Sequence, residues 1–222
     1  YYDHMSLDYF NCKDHKLHIK GEVIASSGIW IAKKRYAMLK TYDLEKNMAI
    51  EPKLGVKGLD IIRSTFPQYF KKYMRSFIVD VLKGLDKDQI DEEFMNFYER
   101  MKEAKPTEVA RNSAVKNISK YSNSDGTYKK GCPMHVKSAI NYNNLLQRMG
   151  IDKDFPPISS GEKVKYCLLR NNPYKIESLA FKDYEDPPEI MKYLEEYCDH
   201  RKLFDAEMRK KMKDFYNALG WG

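Results

Sequence analysis

The sequence predicts an α+β fold, in which a small β-rich segment precedes a mainly helical region with an inserted β-hairpin. Strand-forming residues dominate the first part, at positions 16–25 and 35–43. Apolar residues then recur at the three-and-four spacing of amphipathic helices, and a later segment, 163–181, alternates in the manner of a hairpin. These observations indicate a first unit over residues 1–60 and a second unit that begins at residue 61.

The β-rich segment is predicted to contain two strands, Lys16–Ala25 and Arg35–Asp43. The residues between them, Ser26-Ser27-Gly28 and Ile29-Trp30-Ile31, are expected to form the turn. The segment 54–67 carries two glycines and a proline, which are typical of a connector rather than of a helix interior.

The helical region begins with the clearest amphipathic pattern in the chain. Its apolar residues recur between Phe66 and Leu82, and Gly84 is expected to end the helix. A second helix is predicted over Lys87–Ala104, with Asp86 or Asp88 as its N-cap and an antiparallel packing on the first helix. A third is predicted at His135–Met149, after a polar loop that spans residues 121–131.

The last part of the chain combines a hairpin with further helices. Lys163–Arg170 and Ile176–Phe181 are predicted strands, joined by the turn Asn171-Asn172-Pro173. Helical patterns then cover Pro188–Tyr197 and Asp205–Leu219. The second unit is therefore expected to extend over residues 61–212, followed by a tail at 213–222.

Composition narrows the classes of function. Among 222 residues, 39 lysines and arginines exceed 32 acidic residues, and the net charge of +7 favours a polyanionic partner. No apolar run approaches the roughly 18 residues that a membrane span needs, so no membrane association is expected, and the predicted location is the cytoplasm. The scattered positions of the four cysteines (Cys12, Cys132, Cys167 and Cys198) predict neither a disulfide framework nor a zinc module.

The densest cluster of groups suited to DNA is Lys33-Lys34-Arg35-Tyr36. On a continuous strand, Lys34 and Tyr36 would point to the same side, because side chains alternate with a period of two. A cation and a phenol would then line up along a phosphate backbone. Taken as composition alone, the cluster is a weak signal, and a solvated basic strand end is the favoured explanation.

Several further strings occur in a fixed order around this cluster. They are Glu22-Val23-Ile24-Ala25, Gly28-Ile29-Trp30, Glu51-Pro52-Lys53-Leu54, Arg63-Ser64, Cys132-Pro133-Met134-His135, Asn141-Tyr142-Asn143 and Gly161-Glu162-Lys163-Val164. In this order the chain resembles the end of the palm and the thumb of family B DNA polymerases, in particular those of the T-even-type bacteriophage group. The resemblance covers nearly the whole chain, and Lys-Lys-Arg-Tyr is its most specific string.

The resemblance implies a DNA-binding role for the matching positions. In the family the Lys-Lys-Arg-Tyr segment contacts primer-template DNA near the growing end, so Lys34 and Tyr36 are the first candidates, whereas Lys33 and Arg35 are contact or structural residues. The thumb meets the duplex backbone. Its candidate contact residues here are Arg63, Lys129, Lys130, His135 and Lys137.

Phosphoryl transfer by a polymerase uses two metal ions held by paired carboxylates. The family's aspartate motifs belong upstream of Glu22 and are not found in this sequence, so no catalytic or metal-binding residue is expected here, and Mg²⁺ is expected only in the assembled polymerase. Glu22 matches a palm glutamate near those aspartates, although Gly21 replaces the arginine that usually precedes it. Glu22 is therefore either a supporting carboxylate or the partner of a nearby lysine.

The C-terminal tail ends in aromatic residues that are expected to be exposed. It loosely resembles the short aromatic peptide with which related phage polymerases dock on the sliding clamp. The candidate clamp-binding residues are Phe215, Tyr216, Leu219 and Trp221. The alternative is a helix end that packs on the thumb.

The sequence thus supports a binding portion of a DNA-directed DNA polymerase that grips primer-template DNA and needs a larger N-terminal portion for catalysis. Such a chain is either a piece of one long polymerase or the smaller subunit of a split polymerase. The alternative from another class is a stand-alone basic module that binds DNA or protein and is derived from a polymerase thumb.

Overall fold

The computed structural model describes residues 21–222. Within this range the chain has an α+β fold with two three-stranded antiparallel sheets and a set of helices. The first sheet consists of β1 (Ile24–Ala32), β2 (Arg35–Asp43) and β3 (Met48–Lys57), in the order β1-β2-β3. The fold class predicted from the sequence is confirmed.

The first sheet corrects two expectations. The residues Ser26 to Ile31 form the middle of β1 instead of a turn, because this segment pairs with β2. The pairing is irregular between Ala25 and Ser27, so the two serines are accommodated within the strand. The connector predicted from residue 54 begins later, since Leu54–Lys57 completes β3. The part of the predicted strand Lys16–Ala25 that precedes residue 21 lies outside the described residues.

The long helices lie close to the ranges predicted from the sequence. After a short 3₁₀ turn at Asp60–Ile62, the helices are α1 (Gln68–Leu82), α2 (Lys87–Lys102), α3 (Pro106–Val109), α4 (Ile118–Tyr121), α5 (Met134–Met149), α6 (Pro188–Tyr197), α7 (His200–Phe204) and α8 (Lys210–Leu219). The carboxylate of Asp86 caps α2 by accepting a hydrogen bond from the backbone N–H of Gln89. The amide side chain of Gln89 bonds in return to the N–H of Asp86, so the two complete a capping box.

The antiparallel packing of α1 on α2 is visible in their aromatic side chains. The ring of Tyr73 stacks on Phe97 with centroids 4.0 Å apart, and it also meets Phe94 at 6.0 Å. Tyr69, one turn earlier on α1, contacts Phe97 at 5.5 Å. Later positions on α1 thus meet earlier positions on α2, as the prediction requires.

The second sheet contains one strand more than expected. The predicted hairpin forms as β5 (Lys163–Leu168) and β6 (Ser178–Phe181), and β4 (Arg111–Ala114) pairs with the other edge of β5. The sequence Arg-Asn-Ser-Ala of β4 carries no strand signal, so only its tertiary pairing makes it extended. Helix α5 packs on β6, where the Asn141 side chain donates to the carbonyl of Ser178 at 2.8 Å.

The C-terminal helix also begins earlier than predicted. Its residues continue from α7 through a π-helical segment, Asp205–Arg209, into α8. Within that segment the buried Glu207 forms an ion pair with Arg111 of β4 at 2.6 Å. Lys211, on α8, bridges Glu207 and Asp60, which fastens the C-terminal helix to the segment that follows the first sheet.

The buried apolar side chains form one core that runs from the first sheet to α8. Ile29, Ala37 and Leu39 are the buried positions of the sheet, and this inner face packs on α1 and α8. The boundary near residue 60 coincides with the end of β3, but its meaning as a division between units stays a prediction. No helix in the described part of the chain is long and apolar enough to cross a membrane.

Candidate nucleic-acid interface

The Lys-Lys-Arg-Tyr string lies at one end of the first sheet. Lys33 and Lys34 form a two-residue turn between β1 and β2, because Ala32 and Arg35 are the last cross-strand pair. Lys34 has a positive φ of 62°. The expectation that Lys34 shares a strand face with Tyr36 is therefore wrong: the period of two does not continue through a turn.

Gly58, the residue directly after β3, lies against the backbone of this turn. Gly58 has a φ of +69°, and a Cβ atom at this position would fall far inside van der Waals contact with the carbonyl oxygen of Lys34. Gly58 therefore lets the chain pass directly against the turn. The backbone of the turn at Lys34 thus packs directly on Gly58.

The four residues of the string have different surroundings. Arg35 reaches α8, where its guanidinium lies 3.4 Å from the carboxylate of Asp214. Tyr36 lies on the outer face of the sheet, in a cross-strand row with Trp30 and Lys57. Lys33 and Lys34 form no ion pair with another described residue. Arg35 is thus engaged within the fold, whereas the two lysines of the turn are available to a ligand.

Trp30 and Lys57 were missed by the sequence reasoning. Regular alternation outward from a turn at Lys33-Lys34 would pair Tyr36 with Ile31; the irregular pairing between Trp30 and Ala32 instead puts Trp30 opposite Tyr36. Lys57 reaches the same row through the pairing of β2 with β3. Both were missed because the sequence reasoning placed Trp30 in a turn at Ser26–Ile31 and Lys57 in a connector, and local pattern does not reveal an irregular strand pairing. The row of Trp30, Tyr36 and Lys57 adds a second cation and a second aromatic ring to the predicted interface.

The other candidate DNA-contact residues lie in the helical region, at positions that are separate from one another. Arg63 is exposed and pairs with Asp60 at 3.1 Å. Lys129 and Lys130 are exposed in the loop before α5. Lys137 is engaged within the fold, since its ammonium lies 2.7 Å from Glu177 and 5.0 Å from the ring centroid of Tyr128.

A cleft beside Arg63 was also missed. It has a volume of about 480 Å³ and lies between the segment after the 3₁₀ turn and the second sheet. Ser64 and Asn112 contribute polar groups, and the exposed Lys163 adds a cation. Lys163 belongs to the string Gly161-Glu162-Lys163-Val164, but no contact role was predicted for it, and only the pairing of β4 with β5 reveals the cleft.

His135 is half-buried near the start of α5. Burial lowers the pKa of its imidazole below the usual value, and the nearby positive charge of Arg111 lowers it further. A histidine with a lowered pKa is neutral at pH 7, so His135 is suited to donate a neutral hydrogen bond rather than to act as a cation.

The lowered pKa of His135 predicts acid sensitivity of the fold. The unfolded chain binds a proton at a pKa of about 6.5, above that of the folded chain, so stability is full above this pH and is lost as the pH falls below it. We expect the urea midpoint to fall less between pH 8 and pH 5.5 in His135→Gln than in the unsubstituted chain. Equal losses in both proteins would contradict this assignment.

Glu22 lies at the other end of the first sheet from the lysine turn. It is exposed and lines a shallow pocket together with Lys40 and Lys53. Within residues 21–222, no group of three or more histidine, cysteine or acidic side chains is arranged to hold a metal ion. A single exposed carboxylate does not provide the paired ligands that two-metal phosphoryl transfer requires.

The tail is packed rather than exposed, which corrects one expectation. Phe215 is only 3% exposed, and its ring meets Phe77 edge-to-face with centroids 5.2 Å apart. The hydroxyl of Tyr216 donates to Asp91 at 2.5 Å, and Trp221 packs on the Tyr216 ring. Leu219 is half-buried. These contacts arise because the apolar side of α8 completes the core.

The contact between α8 and α2 is reinforced by charge. Burial opposes ionisation of Asp91, but hydrogen bonds from Lys87 and Tyr216 outweigh it and lower the pKa of the carboxyl. Burial and the bond to Asp91 raise the pKa of Tyr216. Both shifts favour a tyrosine hydroxyl bonded to a carboxylate, so Tyr216 is an anchor of α8. Docking of this tail on a clamp stays a prediction.

Comparison with known proteins places these features in a family. The family model of DNA polymerase family B matches residues 9–215. The DNA-directed DNA polymerases of Enterobacteria phage T4 and Escherichia phage RB69 are each 27% identical, over 96% and 95% of this chain respectively. The chain spans 24% of the length of either relative. The chain belongs to DNA polymerase family B.

Proposed function

We propose that this chain is the C-terminal palm and thumb portion of a DNA-directed DNA polymerase and that it grips primer-template duplex during replication. The observation that carries this proposal is the turn of Lys33 and Lys34 at the end of the first sheet. Its two cations have no ion-pair partner among the described residues, and Tyr36 and Lys57 lie next to it on the outer face.

In this proposal the main contribution to duplex binding is electrostatic. Cations that contact phosphates release counterions from the duplex, and this makes affinity fall as salt rises. Lys33, Lys34 and Lys57 contact the backbone near the growing end, and Tyr36 packs against a sugar. Arg63, Lys129 and Lys130 extend the contact along the thumb. Lys137 and Arg35 support the interface through Glu177 and Asp214.

Catalysis belongs to an upstream portion of the polymerase in this proposal. That portion supplies the catalytic aspartates and the Mg²⁺ ions, and Glu22 lies on the side that meets it. The first sheet leaves β1 and β3 as edges within the described part of the chain. Val23, Ile24 and Met48 are exposed at the end of the sheet far from the lysine turn, and they suit an apolar contact with a protein partner.

The test is equilibrium binding of the chain to a labelled primer-template duplex at increasing salt. A plot of log affinity against log salt has a slope of about −0.9 for each phosphate contact. The double variant Lys33→Ala/Lys34→Ala is expected to bind more weakly and to lose about 1.8 from this slope, because two contacts disappear.

The matched control is Lys210→Ala/Lys213→Ala, which removes the same charge from exposed positions on α8. This control is expected to keep the slope of the unsubstituted chain. Equal slopes in the lysine-turn variant and the unsubstituted chain would remove the turn from the interface. Duplex binding with no effect on extension by an upstream polymerase portion would instead support the stand-alone binding module.

A further inference from the structure

The outer face of the first sheet carries two neighbouring aromatic rings, the exposed Trp30 and the half-buried Tyr36. Trp30 is 65% exposed although it lies within β1 and is paired with Tyr36 of β2. Its ring centroid is 6.4 Å from that of Tyr36, and the two planes differ by 32°. The rings therefore lie side by side and form a continuous aromatic surface.

Glycines make this surface flat. Gly28, Met38 and Gly55 form the next cross-strand row on the same face. A Cβ atom at Gly28 would lie 2.8 Å from Cη2 and 3.0 Å from Cζ3 of Trp30, so the indole rests on the bare backbone there. The Cη2 and Cζ3 atoms of the ring thus lie against the strand, while 65% of the residue stays exposed to a ligand. The side chain of Lys40 lies over Gly55 in the same way.

Positive charge surrounds the aromatic pair. Lys33 and Lys34 lie at the turn, Lys57 is paired with Tyr36, and Lys40 is paired with Lys53 two rows further along. None of these lysines forms an ion pair with another described residue. The complementary ligand is thus anionic and has a planar ring to stack on. The bases of a duplex are stacked on one another and offer no such ring face, whereas an unpaired base does.

We propose that this outer face binds an unpaired stretch of nucleic acid, with Trp30 stacked on a base and the surrounding lysines on the phosphates. This site goes beyond the duplex grip, since it recognises bases that are not paired. A protein segment would also cover an aromatic surface, but the three lysines nearest to it, Lys33, Lys34 and Lys57, favour a polyanion; Lys40 and Lys53 share a pocket with the carboxylate of Glu22.

The fluorescence of Trp30 provides the test. The chain has two tryptophans, so Trp221→Phe leaves Trp30 as the sole tryptophan reporter. Titration of this variant with oligo(dT) is expected to quench the emission, because a stacked base quenches an indole. An abasic strand of the same length carries the same phosphates and is expected to bind without quenching.

Affinity gives an independent measurement. Trp30→Ala is expected to weaken binding of oligo(dT) by about tenfold or more and to leave binding of the abasic strand unchanged. Binding of oligo(dT) without quenching, or equal affinities of Trp30→Ala and the parent chain, would overturn the proposal. The same holds if Trp30→Ala weakens only the association with an upstream polymerase portion.

The duplex measurements separate this site from the proposed function. Salt-dependent binding of duplex without quenching by oligo(dT) would remove the stacking site alone. Quenching by oligo(dT) without binding of duplex would remove the duplex grip and leave the stacking site in place.

Discussion

Replacing Gly58 by alanine is expected to weaken duplex binding about as much as removal of both lysines of the turn. The added Cβ would collide with the carbonyl oxygen of Lys34, which is backbone and cannot yield as a flexible side chain would. The turn must then shift, and with it the two cations. We expect a loss of affinity on the order of tenfold or more, which corresponds to about 1.4 kcal/mol or more.

The control for Gly58 is Gly84→Ala. Gly84 also has a positive φ, +92°, but a Cβ atom there would meet nothing within 4 Å. Both variants lose about 1–2 kcal/mol of stability from the left-handed backbone. Only Gly58→Ala is expected to reduce the salt slope. Moreover, Gly58→Ala should add little to Lys33→Ala/Lys34→Ala, because the displaced cations are already absent.

An outcome in which both glycine variants bind duplex equally would contradict this role of Gly58. Gly58→Asn sharpens the distinction, since asparagine tolerates the left-handed backbone but still carries a Cβ atom. It should recover part of the stability and none of the affinity. Gly58 is in this account a positioning residue for the lysine turn.

Replacing Phe215 by alanine is expected to destabilise the chain by about 3–5 kcal/mol, as for other buried phenylalanines. The ring is buried against Phe77 and closes the core between α1 and α8. Urea denaturation measures this loss. The matched control is Met95→Ala on α2, where the side chain is exposed, and its cost is expected to stay within about 0.5 kcal/mol.

A small effect of Phe215→Ala would show that α8 does not complete the core. The same burial decides how clamp binding is tested. Removal of the whole tail would take Phe215 out of the core, and a loss of clamp binding would then report misfolding. Trp221→Ala is the better probe, since it changes the half-buried end of the tail and leaves Phe215 in place.

The helices were the most predictable part of the fold. The apolar spacing within 66–82 and the cap at Asp86 are local signals, and α1 and α2 follow them to within two residues. Strand β4 and the π-helical segment were not predictable in the same way. Both depend on partners far along the chain, and the ion pair between Arg111 and Glu207 joins those two elements.

The candidate site was predicted in its residues but not in its geometry. The lysines of the Lys-Lys-Arg-Tyr string were identified, yet placing the turn at Ser26–Ile31 put Lys34 on a strand and hid Trp30. Local propensity favoured a turn at the serines and the glycine, whereas cross-strand pairing extends β1 through them. The burial of Phe215 was likewise missed: a helix over Asp205–Leu219 was predicted, but its packing on Phe77 of α1 is a tertiary contact that the local pattern does not show.

The central claim, that the lysine turn grips duplex DNA, is tested most directly by lysine acetylation of the chain with and without saturating primer-template, read by mass spectrometry. We predict that duplex protects Lys33, Lys34 and Lys57 and leaves Lys210 and Lys213 on α8 as reactive as before. Unchanged reactivity of all three sheet lysines in a saturated complex would contradict the account.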